Sequence, residues 1–289
     1  MNPIRCITLE LNAFDMHKTL DCGQCFRWHR DTVKGVYIGV VAQSLLVFHE
    51  RTSKLCIYGQ DLSDEAIEVY FDLKRDYQGI LEDLAQKDRH LAKAVEYGKG
   101  IRILKQAPFE TLISFIISSN NNIPKIKMTV EALCESFGMP IAEYDGKVYY
   151  AFPTVENLAD ISLEGLNVKA IGYRAKSVWN TVQKLLEEKV DLDAVSVMAY
   201  DDAKVFLKTF YGVGDKVADC VLLFGYGKFE AFPIDVWVKK VLVELYNVEK
   251  KQEVFVAHYF GAYPGIAQQY LFYYMRDRKN VAQSSGEGG

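Results

Sequence analysis

The chain has 289 residues, 49% of them apolar and 25% charged, with a net charge of −4 and a pI of about 5.8. That length supports more than one hydrophobic core, and the composition is that of an ordinary globular protein. The acidic balance excludes a histone-like protein held to nucleic acid by bulk charge, while leaving room for a local basic face.

No apolar run approaches the ~20 residues of a membrane helix. The opening MNPIRCITLELNAF has no secretory apolar core. The expectation is an intracellular protein in which the cysteines at 6, 22, 25, 56, 134 and 220 are reduced.

In chain order, RWHRDTVKGVYIGVVAQSLLVFHE is β-branched and aromatic, with turn residues at Asp31, Gly35, Gly39, Gln43 and Ser44. KLCIYG adds one more strand. At Ser63 the pattern changes to a capped helix with acids in its first turn. Pro108 starts a helix whose Phe109, Leu112, Ile113, Ile116 and Ile117 share a face. Val178, Val182, Leu185 and Leu186 line another. Met198–Phe210 reads as a further helix, and Asp235 and Pro264 open the last two. The predicted fold is α+β: an N-terminal antiparallel β-sheet domain over residues 1–100, a mostly α-helical domain over 101–280 and a disordered tail over 281–289.

The segment FLKTFYGVGDKVADC, residues 206–220, joins two helical patterns through Gly212 and Gly214. Glycine permits positive φ and close backbone approach. Asp215 is placed to cap the second helix, whose first free N–H groups then suit a DNA phosphate. Such a helix-hairpin-helix holds the phosphate backbone without reading sequence. An ordinary helix–loop–helix connection has the same glycine pattern.

Lys216, in the first turn of that helix, and Asp235, delivered after Pro233 at the next helix start, suit chemistry at a sugar carbon. The amine is the nucleophile, and the carboxylate orients it and stabilises positive charge at C1′. An unperturbed lysine, with pKa near 10.4, is neutral in fewer than about one molecule in a thousand at pH 7. Burial and a helix N-terminus favour the neutral amine, and a charged Asp235 opposes it. For a lysine taken alone, an exposed and unpaired side chain is the simpler reading. Cys22 and Cys25 have the spacing of a redox pair or of half a zinc site, which would need two further ligands.

GVGDKVADC with PIDVW resembles the 8-oxoguanine DNA glycosylase/lyases of the helix-hairpin-helix glycosylase superfamily. So do CGQCFRW (22–28), SNNNIPKI (119–126), GYRAK (172–176) and, more loosely, IAQQYLF (266–272), all in the family's order. The resemblance implies base-excision repair: 8-oxoguanine is flipped out of duplex DNA and excised by Lys216 and Asp235 through a Schiff base, with β-elimination at the abasic site.

It implies that the Gly23 carbonyl accepts from the N7–H that 8-oxoguanine has and guanine lacks. The cysteine pair then needs no redox or zinc role. It implies that Cys220 and Phe272 sandwich the base and that Gln268 reads its Watson–Crick edge. Asn120, Lys125, Tyr173 and Arg174 would meet the opposite strand, with Tyr173 wedged into the vacated stack. Gly212 and Gly214 would face a phosphate. The carbonyls of Lys208, Phe210 and Val213 would hold an alkali cation (Na+ or K+), although FYGVG replaces the usual Leu-Pro before the glycines. No other cofactor is implied, and the partner is duplex DNA bound by a monomer.

The chain departs from animal and fungal members at three places. Lys125 replaces an arginine that contacts the orphaned cytosine, and lysine cannot make its planar two-pronged contact, so a weaker preference for cytosine follows. Trp237 and Met275 replace a histidine and its aspartate partner, as in compact bacterial members. Two other readings compete. A monofunctional alkylbase or mismatch glycosylase generally lacks the hairpin lysine, and its iron–sulfur branch needs four C-terminal cysteines. A non-catalytic DNA-binding module leaves Asp235 and the CGQCFRW loop unexplained.

Overall fold

The computed structural model describes residues 2–9 and 13–284. The N-terminal part comprises β1 (Arg5–Thr8), α1 (Met16–Asp21), β2 (Trp28–Asp31), β3 (Val36–Val41), β4 (Ser44–His49) and β5 (Lys54–Gly59). Then come α2 (Asp64–Tyr70), α3 (Tyr77–Lys87), α4 (Arg89–Gly98), α5 (Pro108–Ile117) and α6 (Ile123–Phe137). A hairpin, β6 (Pro140–Tyr144) and β7 (Lys147–Tyr150), precedes α7 (Val155–Leu158), α8 (Arg174–Glu187) and α9 (Tyr200–Leu207). The chain ends with α10 (Asp215–Tyr226), α11 (Val236–Tyr246), α12 (Gln252–Tyr259) and α13 (Pro264–Ser284).

The α+β architecture follows the sequence pattern. The first sheet is antiparallel in the order β1-β5-β4-β3-β2. Its central strands β3, β4 and β5 are buried along nearly their whole length because both faces are covered, whereas β1 and β2 at the edges carry polar residues. Trp28, Tyr37, Leu46, Phe48, Leu55 and Ile57 pack on α1 and α2 through Leu20, Ile67 and Phe71. Val36, Ile38, Val40, Leu45, Val47 and Tyr58 face Ala142 and Tyr149 of the β6–β7 hairpin. That hairpin, inserted in the helical half of the chain, is not evident in the sequence pattern.

In the helical part, Thr111 through Ile117 of α5 are all buried, as are Val217 through Gly225 of α10. The two helices meet where Phe115 stacks on Phe224 at 5.4 Å. Residues 101–106 form no helix or strand and run between the two cores: Ile101 and Ile103 belong to the helical core, Leu104 to the sheet core.

Three expectations need correction. The helix expected over Met198–Phe210 is shorter at both ends: α9 begins at Tyr200, because Ala199 before it is extended, and it ends at Leu207; a 3₁₀ turn, Asp193–Val197, precedes it. Cys6 and Cys56 are not reduced thiols but a disulfide. They face each other across β1 and β5, a juxtaposition that a separation of 50 residues hides in the sequence. The remaining cysteines are free and buried. Finally, α13 takes in the first four residues of the expected tail, 281–284, and the remainder of that tail lies outside the described residues. Among the described residues no helix is long and apolar enough to cross a membrane.

Candidate active site

The turn between α9 and α10 depends on Gly212, whose φ is +83° and where a Cβ would lie 2.5 Å from the Ser177 hydroxyl. Helix α10 then begins with Gly214 as its N-cap, and no side chain caps it. Asp215 therefore does not make the expected cap. It is the first helical residue, and its carboxylate pairs with Lys208 at 2.8 Å, which holds it below the usual carboxylate range. The first-turn N–H groups of α10 are thus left to an outside acceptor, the arrangement that suits a phosphate. Asp219, one turn on, accepts from Tyr200 at 2.7 Å and Lys204 at 2.9 Å, which locks α9 onto α10.

Lys216 stands half-buried in the first turn of α10. Its Nζ donates to Ser118 Oγ at 3.1 Å and lies 5.1 Å from the centre of the Phe115 ring. Asp235 is the N-cap of α11, with Oδ1 accepting from the Val238 amide at 2.8 Å. Burial raises its carboxyl above the usual range, and the Val238 N–H and the Lys216 charge pull it back. Asp235 and Lys216 are therefore electrostatic neighbours. Burial pushes the Cys220 thiol up to about 12, so it offers a neutral surface.

The loop after α1 supplies Gly23, with φ at +81°. A Cβ there would meet Ile123 at 3.4 Å and the Phe272 ring at 3.5 Å, ordinary contact distances, so it is the left-handed backbone that favours glycine at this position. On either side, Cys22 and Cys25 are buried thiols that donate to the Thr19 and Leu20 carbonyls and are not bonded to each other. From α13, Gln268 is buried, and its Oε1 has no hydrogen-bond partner among the described residues.

These residues converge. Gly23, Lys216, Cys220, Asp235, Gln268 and Phe272 line one cavity of about 50 Å³. It adjoins a groove of about 590 Å³ that shares Gly23, Lys216, Asp235 and Phe272 and adds Asn120 and Trp237. A nucleophile, a carboxylate, a neutral thiol face, an aromatic face and an unpaired acceptor thus surround one space that opens on a wider groove. These are the groups needed to bind a flat polar ring and to attack the atom attached to it, in a cavity that must widen to admit the ring.

The other expected residues lie around the groove. Asn120 sits in the turn after α5 with φ at +49°, and its side chain is exposed. Arg174 is buried and donates to the Ser119 carbonyl at 2.8 Å and the Asn120 carbonyl at 2.7 Å, so it braces that turn. Tyr173 is 65% exposed, with its hydroxyl on Ser119. Lys125 is exposed and lies outside the groove lining. Met275 is buried. The Phe210 carbonyl accepts from the Val213 amide at 3.1 Å, which closes the hairpin.

Ser118, Gln269 and Arg276 also border the cavity or groove, and sequence reading does not single them out. Ser118 carries a faint signal, a hydroxyl at the end of an otherwise apolar helix. Gln269 and Arg276 carry none, because their roles depend on a loop some 250 residues away: Gln269 is separated from Cys22 by 247 residues.

Residues 6–112 match the family model of the 8-oxoguanine DNA glycosylase N-terminal domain. Residues 113–259 match that of the HhH-GPD superfamily of base excision DNA repair proteins. An N-glycosylase/DNA lyase of Saccharomyces cerevisiae is 32% identical over 79% of this chain and 67% of its own length. A probable N-glycosylase/DNA lyase of Methanothermobacter thermautotrophicus is 31% identical over 73% of this chain and 74% of its own. Among solved structures, the Clostridium acetobutylicum 8-oxoguanine glycosylase/lyase, in complex with duplex DNA containing cytosine opposite 8-oxoguanine, superposes with a TM-score of 0.86. It is 38% identical and covers 96% of this chain and 100% of that one.

Proposed function

Because the chain belongs to the HhH-GPD superfamily of base excision DNA repair proteins, with an 8-oxoguanine DNA glycosylase N-terminal domain ahead of it, we propose that it excises 8-oxoguanine from duplex DNA and cleaves the resulting abasic site. The observation that carries the proposal is the shared cavity. Lys216 and Asp235 border the same small space as Gly23 and the unpartnered Gln268 Oε1. A buried acceptor left unpaired costs roughly 1–3 kcal/mol, a cost that the N–H groups of a guanine-type edge would remove.

The cavity of about 50 Å³ is smaller than the base. An apolar cavity of about 150 Å³ takes benzene, and a purine is larger still. Entry of the base therefore shifts Phe272 and Gln268 outward, toward the groove.

Lys216, having given up its proton, attacks C1′. The glycosidic bond breaks, its electron pair leaves with the base, and the base takes up a proton. Asp235 stabilises the positive charge that develops on the sugar, in a site where burial strengthens that interaction. Ser118 Oγ, which accepts from Lys216 Nζ, aims the amine. The sugar ring opens to a Schiff base, and loss of a C2′ proton expels the 3′ phosphate. The uncapped start of α10 receives a DNA phosphate, with Gly212 and Gly214 allowing the backbone to approach. Asn120, Lys125, Tyr173 and Arg174 meet the strand opposite the lesion. The Lys208, Phe210 and Val213 carbonyls would hold an alkali cation, which would stiffen the hairpin when bound: main-chain oxygens suit such an ion, and the Phe210 carbonyl keeps one lone pair beyond its bond to Val213. The protein acts as a monomer.

Borohydride trapping on a duplex with one 8-oxoguanine tests this reading. The expected result is a covalent adduct with the wild type and none with Lys216→Gln. Base release that needs Asp235 but gives no adduct would indicate a monofunctional enzyme, and binding without release a DNA-binding module. Because Lys125 is a point charge and not a planar fork, excision opposite cytosine should exceed excision opposite the other three bases by less than about tenfold. A strong preference for cytosine would contradict this.

A further inference from the structure

The carbonyl next to a selective hydrogen bond must be held still, and Gly23 has the least intrinsic restraint of any residue type. Its surroundings provide the restraint. The Asp21 carbonyl accepts from Arg276 Nη1 at 2.6 Å, and Arg276 Nη2 also meets the Asp21 carboxylate at 3.1 Å. The Cys22 carbonyl accepts from Gln269 Nε2 at 2.7 Å. The Gln24 carbonyl accepts from Gln106 Nε2 at 2.8 Å, and the Gln24 side chain is bonded to Arg102 and Leu104 in the 101–106 segment. Carbonyls 21, 22 and 24 are thus all occupied. Among the described residues, no hydrogen bond ends on the carbonyl of Gly23.

We infer that Gln269 and Arg276 are positioning residues for base recognition, tethering the 21–24 loop to α13 so that the Gly23 carbonyl stays aimed and unpaired beside the base. This rests on the proposed 8-oxoguanine reading and deepens it. The same helix carries Gln268 and Phe272. Gln269 follows Gln268 directly, and Arg276 lies one turn beyond Phe272, its guanidinium 5.9 Å from that ring. The aromatic wall, the edge-reading amide and the loop that tests N7 are therefore one mechanical unit. Neither Gln269 nor Arg276 reaches Lys216, whose own partners lie on α5 and in the turn after it.

The test separates recognition of the base from the chemistry of the lysine. Gln269→Met and Arg276→Met each remove donors while keeping bulk, and Arg276→Lys restores one donor. Single-turnover excision of 8-oxoguanine and cleavage of a preformed abasic site are measured on the same preparations, with thermal unfolding as the check on folding. The ratio of excision to abasic cleavage should fall about tenfold to a hundredfold in the Met variants, the range that corresponds to one misplaced buried hydrogen bond. Arg276→Lys should recover part of it. An unchanged ratio, or a parallel loss of both activities in folded variants, would overturn the tethering role. A wild type that cleaves abasic DNA but leaves 8-oxoguanine in place would overturn the substrate reading instead.

Discussion

Asp235 shows how one side chain can be both useful and costly. As the N-cap of α11 it is held in place by the Val238 amide, yet burial raises its carboxyl above the usual range. A carboxyl raised in the folded state favours folding while it is protonated, and that contribution disappears as pH rises from the unfolded value of about 3.9 through the folded one. Asp235→Asn keeps an oxygen for Val238 and carries no charge. It should therefore unfold at a higher temperature than the wild type at pH 7.5, with the difference closing toward pH 4. Excision should fall at least about a hundredfold, in keeping with loss of a preorganised charge. Equal or lower stability of the variant at pH 7.5 would show that the Lys216 charge fully offsets the burial of the carboxylate.

Among the elements, β1 is the one whose attachment is unusual. Among the described residues it is an edge strand paired with β5 alone, and it is held there by the Cys6–Cys56 disulfide as well as by its ladder. Closing a loop of 50 residues contributes up to about 4 kcal/mol in the chain-entropy picture. For a chain of this size each kilocalorie corresponds to roughly 2–4 °C of melting temperature. Cys6→Ser, or the wild type in dithiothreitol, should melt on the order of 10 °C lower. Abasic-site cleavage at 25 °C should stay unaltered, since Lys216 and Asp235 are carried by α10 and α11. A coupled loss of activity would mean that the sheet edge communicates with the cavity. The β6–β7 hairpin has the complementary role: it covers the second face of the sheet, which explains why the LLVF run of β4 is apolar and does not alternate.

For the whole molecule, net charge of −4 sets the DNA-binding problem. Two lysines of the hairpin region are already paired, Lys204 with Asp219 and Lys208 with Asp215, and Arg276 is paired with Asp21. Lys239 lines the groove and Lys125 is exposed outside it, whereas Lys216 is reserved for the sugar, so counterion release on binding should be small. With two phosphate-directed cations, log affinity against log salt should have a slope of about −2. Titration of an undamaged duplex between 50 and 200 mM salt, both conditions being those in which steep binders lose most, measures it. A slope steeper than about −5 would reveal a basic face that these two lysines do not account for.

The glycine hairpin with Lys216, and the Pro233–Asp235 helix start, were legible in the linear chain because local rules govern them: turns need glycine, and helix starts need caps. The strands from Arg27 onward and the capped helices were legible for the same reason. Resemblance then marked Gly23, Cys220, Gln268 and Phe272, none of which periodicity distinguishes from core. Only the tertiary structure decided that these six line one cavity, that Arg174 braces the 119–120 turn, that Cys6 faces Cys56, and that Gln269 and Arg276 grip the 21–24 loop. Each of those facts is a contact between segments that lie far apart in sequence. Periodicity and capping act over a few residues and carry no information about which distant partner a side chain will meet.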